Sequence, residues 1–243
     1  MAKRIILGAV ALLLVIASAY ASFYIAPEER TMGVIQRIFY FHVASAWAGF
    51  TAFLVCFIGN LLYVWKRAEK YDWLGVSSAE VGLAFTTVVL ITGPIWAHPV
   101  WGIWWTWDAK LTSTFILWLL FIAYLLLRGL VEDPEKKASL SAIFAIFASL
   151  DIPLVYLANR LWRTQHPQPV IAGGQGSGLD PTMSKVLLLC LFAVFCVMIL
   201  VLLDRYRLEL LRNEAAELRY EVESRGVDAS NGQETPALQK GGQ

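Results

Sequence analysis

The residues equipped for chemistry gather in three polar segments of an otherwise apolar chain. The central one reads Trp101-Gly-Ile-Trp104-Trp105-Thr-Trp107-Asp108-Ala-Lys110-Leu-Thr-Ser113, with four tryptophans in seven residues. Wound as a helix it would set Trp101, Trp104, Trp105 and Asp108 at i, i+3, i+4 and i+7, so that three indoles and a carboxylate share a face while Trp107 points elsewhere. Tryptophan is enriched at membrane interfaces in any case, but an interfacial belt does not require such clustering on one segment. A flat, π-rich, apolar ligand does.

On either side of this segment stand His42 and His166. A lone histidine is more often a packing or interfacial residue than a ligand; two on the same membrane face, flanking a tryptophan platform, point to paired imidazole ligation of a metal. Zinc would want about four Cys or His ligands, and Cys56, Cys190 and Cys196 all fall inside apolar runs, as small packing residues. Haem iron needs only axial ligands, since the porphyrin supplies the other four nitrogens. No C-x-x-C is present, so neither disulfide exchange nor covalent attachment of haem is indicated. Arg37 precedes His42 by five residues, which at ~1.5 Å per residue is ~7 Å along a helix, comparable to the reach from a haem centre to its propionate edge. Lys110 follows the tryptophans at the same level. Each alone would be an interfacial anchor; together they match two propionates. His98, in Ala97-His98-Pro99, reads as an interfacial residue.

The elements that must position these groups are transmembrane helices. The chain has 243 residues, 58% of them apolar and 16% charged, and a mean hydropathy of +0.57, which belongs to the membrane class. Apolar runs at roughly 4 to 25, 43 to 65, 79 to 97, 111 to 130, 138 to 158 and 184 to 203 are each close to the ~20 residues that cross a ~30 Å hydrocarbon core. The expected fold is therefore all-α with six transmembrane helices, since the alternation of an outer-membrane barrel is missing. Residues 1 to 205 form that domain, with the Trp-rich segment at 98 to 112. A helical extension at 206 to 225 and a disordered polar tail at 226 to 243 follow.

With the N-terminus inside, 14 of the 20 Lys and Arg residues fall on the inner side and 6 on the outer, so both termini are expected in the cytoplasm and the chemically equipped segments on the outer face. Lys3-Arg4 ahead of an apolar stretch also fits a cleaved signal peptide, with Ala17-Ser18-Ala19 or Ala19-Tyr20-Ala21 as the cleavage site. Against this, the apolar character continues through Phe23-Tyr24-Ile25. The inner connections, about 66 to 78 and 131 to 137, read as short turns. A Gly173-Gly174-Gln175-Gly176-Ser177-Gly178 stretch marks a flexible outer loop. Asp151, in the fifth run and followed by Ile152-Pro153, must face a partner or a wet cavity. Net charge is +1, no basic block suggests nucleic acid, and no G-x-x-x-x-G-K-[ST] is present, so any ATP-driven work falls to a partner.

Trp101-Gly-x-Trp-Trp-x-Trp-Asp108-Ala-Lys-Leu-Thr-Ser113 resembles the tryptophan-rich WWD signature of the haem-handling proteins of cytochrome c biogenesis. With His42 in Phe39-Tyr40-Phe41-His42-Val43 and His166 in Trp162-Arg163-Thr164-Gln165-His166, the chain is similar over about residues 5 to 205 to the cytochrome c maturation protein C family, CcmC. The resemblance implies a bacterial inner-membrane protein that is not an enzyme. It would hold haem at the periplasmic face between His42 and His166 and against Trp101, Trp104, Trp105, Trp107 and Asp108, with Arg37 and Lys110 at the propionates. It further implies delivery of haem to the chaperone CcmE, released by the ABC transporter subunits CcmA and CcmB, with the small membrane subunit CcmD and lipid as further partners. Two positions depart from the family pattern. Lys110 replaces an arginine, keeping charge but losing bidentate geometry, and Ala44 stands where a proline commonly follows His-Val. Two other readings compete. A membrane cytochrome exchanging electrons with quinone would want His pairs within the helices, and a channel for another amphipathic molecule would use Asp151.

Overall fold

The computed structural model describes residues 2–167 and 178–231. Every extended element among them is helical: α1 (Ala2–Tyr20), continued by a π turn at Ala21–Ile25; a 3-10 turn at Val34–Arg37 leading into α2 (Ile38–Lys66); α3 (Glu69–Trp101); α4 (Ala109–Leu130); α5 (Pro134–Ser149) and α6 (Asp151–Leu161); and α7 (Pro181–Asn231). Six helical stretches are long and apolar enough to cross a membrane, with α5 and α6 counting as one, so the chain is a multi-pass membrane protein. The glycine-rich stretch lies outside the described residues as far as Ser177, and so does the polar tail beyond Asn231.

The fifth run is interrupted where its sequence requires it. Pro153 has no N–H to donate back to Ser149, and the helix is interrupted at Leu150, where α5 gives way to α6. Asp133 caps α5 by accepting from the Lys136 N–H at 2.7 Å, with Pro134 in the first helical position.

Helices α2 and α3 make the most extensive pairing in the bundle, and small residues permit it. A Cβ on Gly82 would stand 2.5 Å from the Phe53 ring, and one on Gly75 would stand 2.7 Å from the Asn60 amide. In lipid, where apolar burial does not drive helices together, such close backbone approach supplies the contact energy. Phe53, seated on Gly82, stacks on Phe121 of α4 with centroids 3.8 Å apart, joining three helices. Cys56 is buried in the same cluster, and Cys190 of α7 is buried against the end of the first span, 3.3 Å from the Ser22 hydroxyl.

At one end of the bundle the charges pair with one another. Arg128 of α4 meets Asp72 of α3 with two parallel hydrogen bonds of 2.6 and 2.8 Å. Arg205 of α7 pairs with Glu80, and Arg4 with Asp204 at 2.5 Å. Helix α3 begins at Glu69, about ten residues before its apolar run, because Asp72 turns inward to Arg128 and lets the polar first turns join the bundle. The opposite end gathers the start of α2, the end of α3, the start of α4 and the end of α6, and all three histidines lie there.

Candidate functional site

His42 occupies the second turn of α2, whose first residue is Ile38. The early start places it inside the helix, where the backbone fixes its direction. Its Nδ1 lies 2.8 Å from the Thr92 hydroxyl, which donates its own proton to the Val88 carbonyl at 2.7 Å. The hydroxyl can then only accept, so the proton of His42 sits on Nδ1 and the Nε2 lone pair is free. Gly93 completes the seat, since a Cβ there would press on the His42 ring at 3.4 Å.

His166 is fixed in the same sense by different means. Its Nδ1 is 2.9 Å from the carbonyl of Pro167, a pure acceptor, so Nδ1 carries the proton and Nε2 again keeps its lone pair. The turn is tied to α6 by Asn159, whose Nδ2 donates to the carbonyls of His166 at 3.1 Å and Pro167 at 2.7 Å. Burial, reinforced by the Lys110 ammonium, holds the His166 imidazole below the usual histidine range and keeps it neutral.

The two rings lie 6.5 Å apart between centroids, with planes inclined at 33°. Two metal–imidazole bonds of ~2.0 Å, each extended by ~1.1 Å from nitrogen to ring centre, would separate the centroids by ~6.2 Å. The observed centroid spacing is close to that value. Beside the histidines is a chamber with about 1360 Å³ of unfilled space, including the part open to the outside. Phe39, Val43, Trp47 and Phe50 of α2 form one wall, Leu90, Trp96 and Trp101 of α3 another, and Trp105, Lys110 and Tyr156 close it.

The tryptophan segment departs from the helical expectation. Helix α3 stops at Trp101, because Gly102 takes up φ 76° and returns its N–H to the His98 carbonyl at 2.8 Å. Residues 103 to 108 run as a loop until α4 begins at Ala109. The indoles therefore divide. Trp101 and Trp105 line the chamber, Trp101 edge-on to Trp96 at 5.0 Å, and the buried Trp105 Nε1 has no hydrogen-bond partner among the described residues. Trp104 turns outward and stacks on His98 at 4.2 Å, and Trp107, three-quarters exposed, meets Trp105 edge-on at 5.8 Å.

Asp108 is absent from the chamber wall and holds the scaffold together. Its Oδ1 accepts from the Leu111 N–H at 3.0 Å, capping α4, while Oδ2 accepts from the Thr106 hydroxyl at 2.9 Å and the Gln165 N–H at 3.3 Å. One carboxylate thus fastens the tryptophan loop to the turn that carries His166.

The two cations differ as well. Lys110 lines the chamber and donates to the Val155 carbonyl at 2.8 Å. Arg37 is outside the wall, 3.6 Å from Glu28 and 6.0 Å from the Phe23 ring centroid, with its Nε buried and without a hydrogen-bond partner among the described residues. Asp151 opens α6 outside the chamber, its Oδ2 likewise buried without such a partner. Sequence reasoning missed Thr92, Gly93 and Asn159, whose work lies in contacts with residues distant in sequence or buried in a turn. It also missed the loop signals of Gly102 after a helix and Asp108 before one.

Six spanning helices, with an apolar chamber at one end of the bundle that two histidines help to line, describe a multi-pass membrane protein. The family model described as Heme exporter protein C, CcmC, matches residues 1–221, and the chain belongs to that family. Heme exporter protein C of Bradyrhizobium diazoefficiens is 30% identical over 201 residues, covering 83% of this chain and 76% of its own. The protein of that name from Haemophilus influenzae is 30% identical over 191 residues, 78% of this chain and 77% of its own. That from Escherichia coli K12 is 31% identical over 195 residues, 76% and 74% of the two chains.

Proposed function

We propose that this protein binds haem as cargo at the chamber end of the bundle and presents it for cytochrome c maturation. The observation that carries the reading is the pairing of His42 and His166 at a spacing that one six-coordinate iron would span. The macrocycle lies in the chamber against Trp101 and Trp105, excluded from water by apolar walls. Lys110 faces one propionate, giving up the Val155 carbonyl for it, and Arg37 swings from Glu28 to the other. Trp104 and Trp107, outward on the loop, cover the exposed haem edge. Asp108 acts through the scaffold, holding loop and turn in register.

The excess of Lys and Arg at the opposite end supports cytoplasmic termini and a periplasmic chamber in the bacterial inner membrane. Family membership supports a haem exporter assembly in which this chain hands non-covalent haem b to the chaperone CcmE, beside CcmA, CcmB and CcmD. The quinone reading has less support, because all three histidines stand at one end and none forms a second pair deeper in the bundle.

Haem-loaded protein in lipid nanodiscs, mixed with purified CcmE, tests this function. Haem should pass to the chaperone faster than from a haem–detergent solution, and the His42→Ala variant should lose that advantage. Equal rates from protein and from detergent would contradict it.

A further inference from the structure

The last helix carries a second surface that haem handling does not use. Helix α7 is continuous from Pro181 to Asn231, and its apolar membrane segment ends near Leu203. Beyond that point Leu208, Leu211, Ala215, Leu218 and Val222 recur at alternating steps of three and four residues, the a and d positions of two heptads. All are solvent-exposed, Leu218 at 62% and Val222 at 71%. Asp204 and Arg225, at the flanking d positions, bound the stripe. The helix leaves the bundle on a braced base, since Arg205 pairs with Glu80 of α3 and Glu209 holds both Arg205 and Arg212.

We infer that this stripe is the seam of a parallel two-stranded coiled coil with a second copy of the same chain. The charges beside it select that partner and direction. Glu214 and Glu221 hold g positions, Arg212 and Arg219 hold e positions, and neither Glu214 nor Arg219 has an ion pair among the described residues. In a parallel pair each g residue meets the e residue of the next heptad on the other strand, so Glu214 faces Arg219 of the second copy, twice by symmetry. An antiparallel pair would oppose Glu to Glu and Arg to Arg. The one like-charged parallel contact, Arg207 with Arg212, is softened because Arg212 is bound to its own Glu209 at 2.7 Å. Two copies in one membrane emerge with the same orientation, as this pairing needs. Two heptads are short for a free coiled coil, but confinement to the membrane raises the effective concentration of the strands. The surface is independent of the haem site.

The test is disulfide cross-linking of the full chain in lipid vesicles. Mild oxidation should link Leu211→Cys and Leu218→Cys into dimers, because d positions meet across the seam, and should leave Asn213→Cys and Tyr220→Cys, on the outer f face, monomeric. In the Leu211→Cys background, Glu214→Arg or Arg219→Glu should cut the yield at least fivefold, and the two together should restore it. These changes lie outside the membrane bundle, and that rescue separates lost pairing from lost folding. Equal yields at d and f positions, or yields indifferent to charge reversal, would overturn the proposal. So would cross-linking in native membranes to a different chain with no dimer of this one.

Discussion

The Nδ1 of His42 and the hydroxyl of Thr92 are 2.8 Å apart, and the direction of that hydrogen bond is set by the Val88 carbonyl behind it. Thr92 thereby decides which nitrogen of His42 is available to a metal. Replacing Thr92 with Val removes the acceptor at nearly constant shape, so haem affinity should fall ~10–100-fold, the usual effect of losing a partner that orients a ligating histidine. Thr92→Ser should retain most of it. Equilibrium haem titration of the purified variants measures both.

Lys110 and His166 share the chamber wall. Burial and then the Lys110 ammonium lower the His166 pKa, so the folded protein resists protonation there and the unfolded chain takes up the proton first. Stability drawn from this neutral imidazole is present above the unfolded value of ~6.5 and is lost as pH falls below it through the folded value. The haem complex should therefore hold its spectrum at neutral pH and lose it as the solution becomes acidic. Lys110→Met should move the acid midpoint upward, since the ammonium no longer opposes a proton on His166. It should also weaken haem binding at neutral pH by ~10-fold, the loss of one charge-assisted hydrogen bond. A pH series of absorption spectra for both proteins checks the sign.

Asp108 joins the cap of α4 to the tryptophan loop and the His166 turn. Asp108→Ala should lower thermal stability by about 1 kcal/mol, as for other lost N-caps, and broaden the haem spectrum as the turn loosens. Asp108→Asn can still cap and should recover most of the stability. If both variants lost haem while remaining equally stable, Asp108 would be acting on the ligand and not on the scaffold.

Arg128 and Asp72 form a two-fold hydrogen-bonded pair with side chains only 13% and 10% exposed. Arg128→Met leaves the Asp72 carboxylate without its partner and should cost ~3–5 kcal/mol. Asp72→Leu combined with Arg128→Met should cost much less, since the orphan charge is gone. Chemical denaturation in detergent distinguishes these outcomes, and the haem site at the far end should keep its spectrum in whatever fraction stays folded.

The six spans were legible because bilayer thickness imposes a length on apolar runs that no local choice overrides. Their boundaries were less so. Helix α2 begins at Ile38 and α3 at Glu69, ahead of the apolar runs, because Asp72 finds Arg128 and the aromatic residues before His42 pack on neighbouring helices. His42, His166 and the tryptophans stand out by type alone. The separate duties of Trp101 and Trp105 within, and Trp104 and Trp107 without, follow from a loop that helical spacing mistook for a face. Thr92 could not be singled out from sequence, since its importance is a single contact with a residue fifty positions away.

Axial ligation is tested most directly by the absorption spectrum of purified, haem-loaded protein, compared among the parent, His42→Ala, His166→Ala and the double variant. The parent should show the sharp α and β bands of low-spin iron with two imidazoles. Each single variant should turn high-spin or five-coordinate, with exogenous imidazole restoring the bands, and the double variant should fail to retain haem. An unchanged low-spin spectrum and unchanged retention in the double variant would contradict the account.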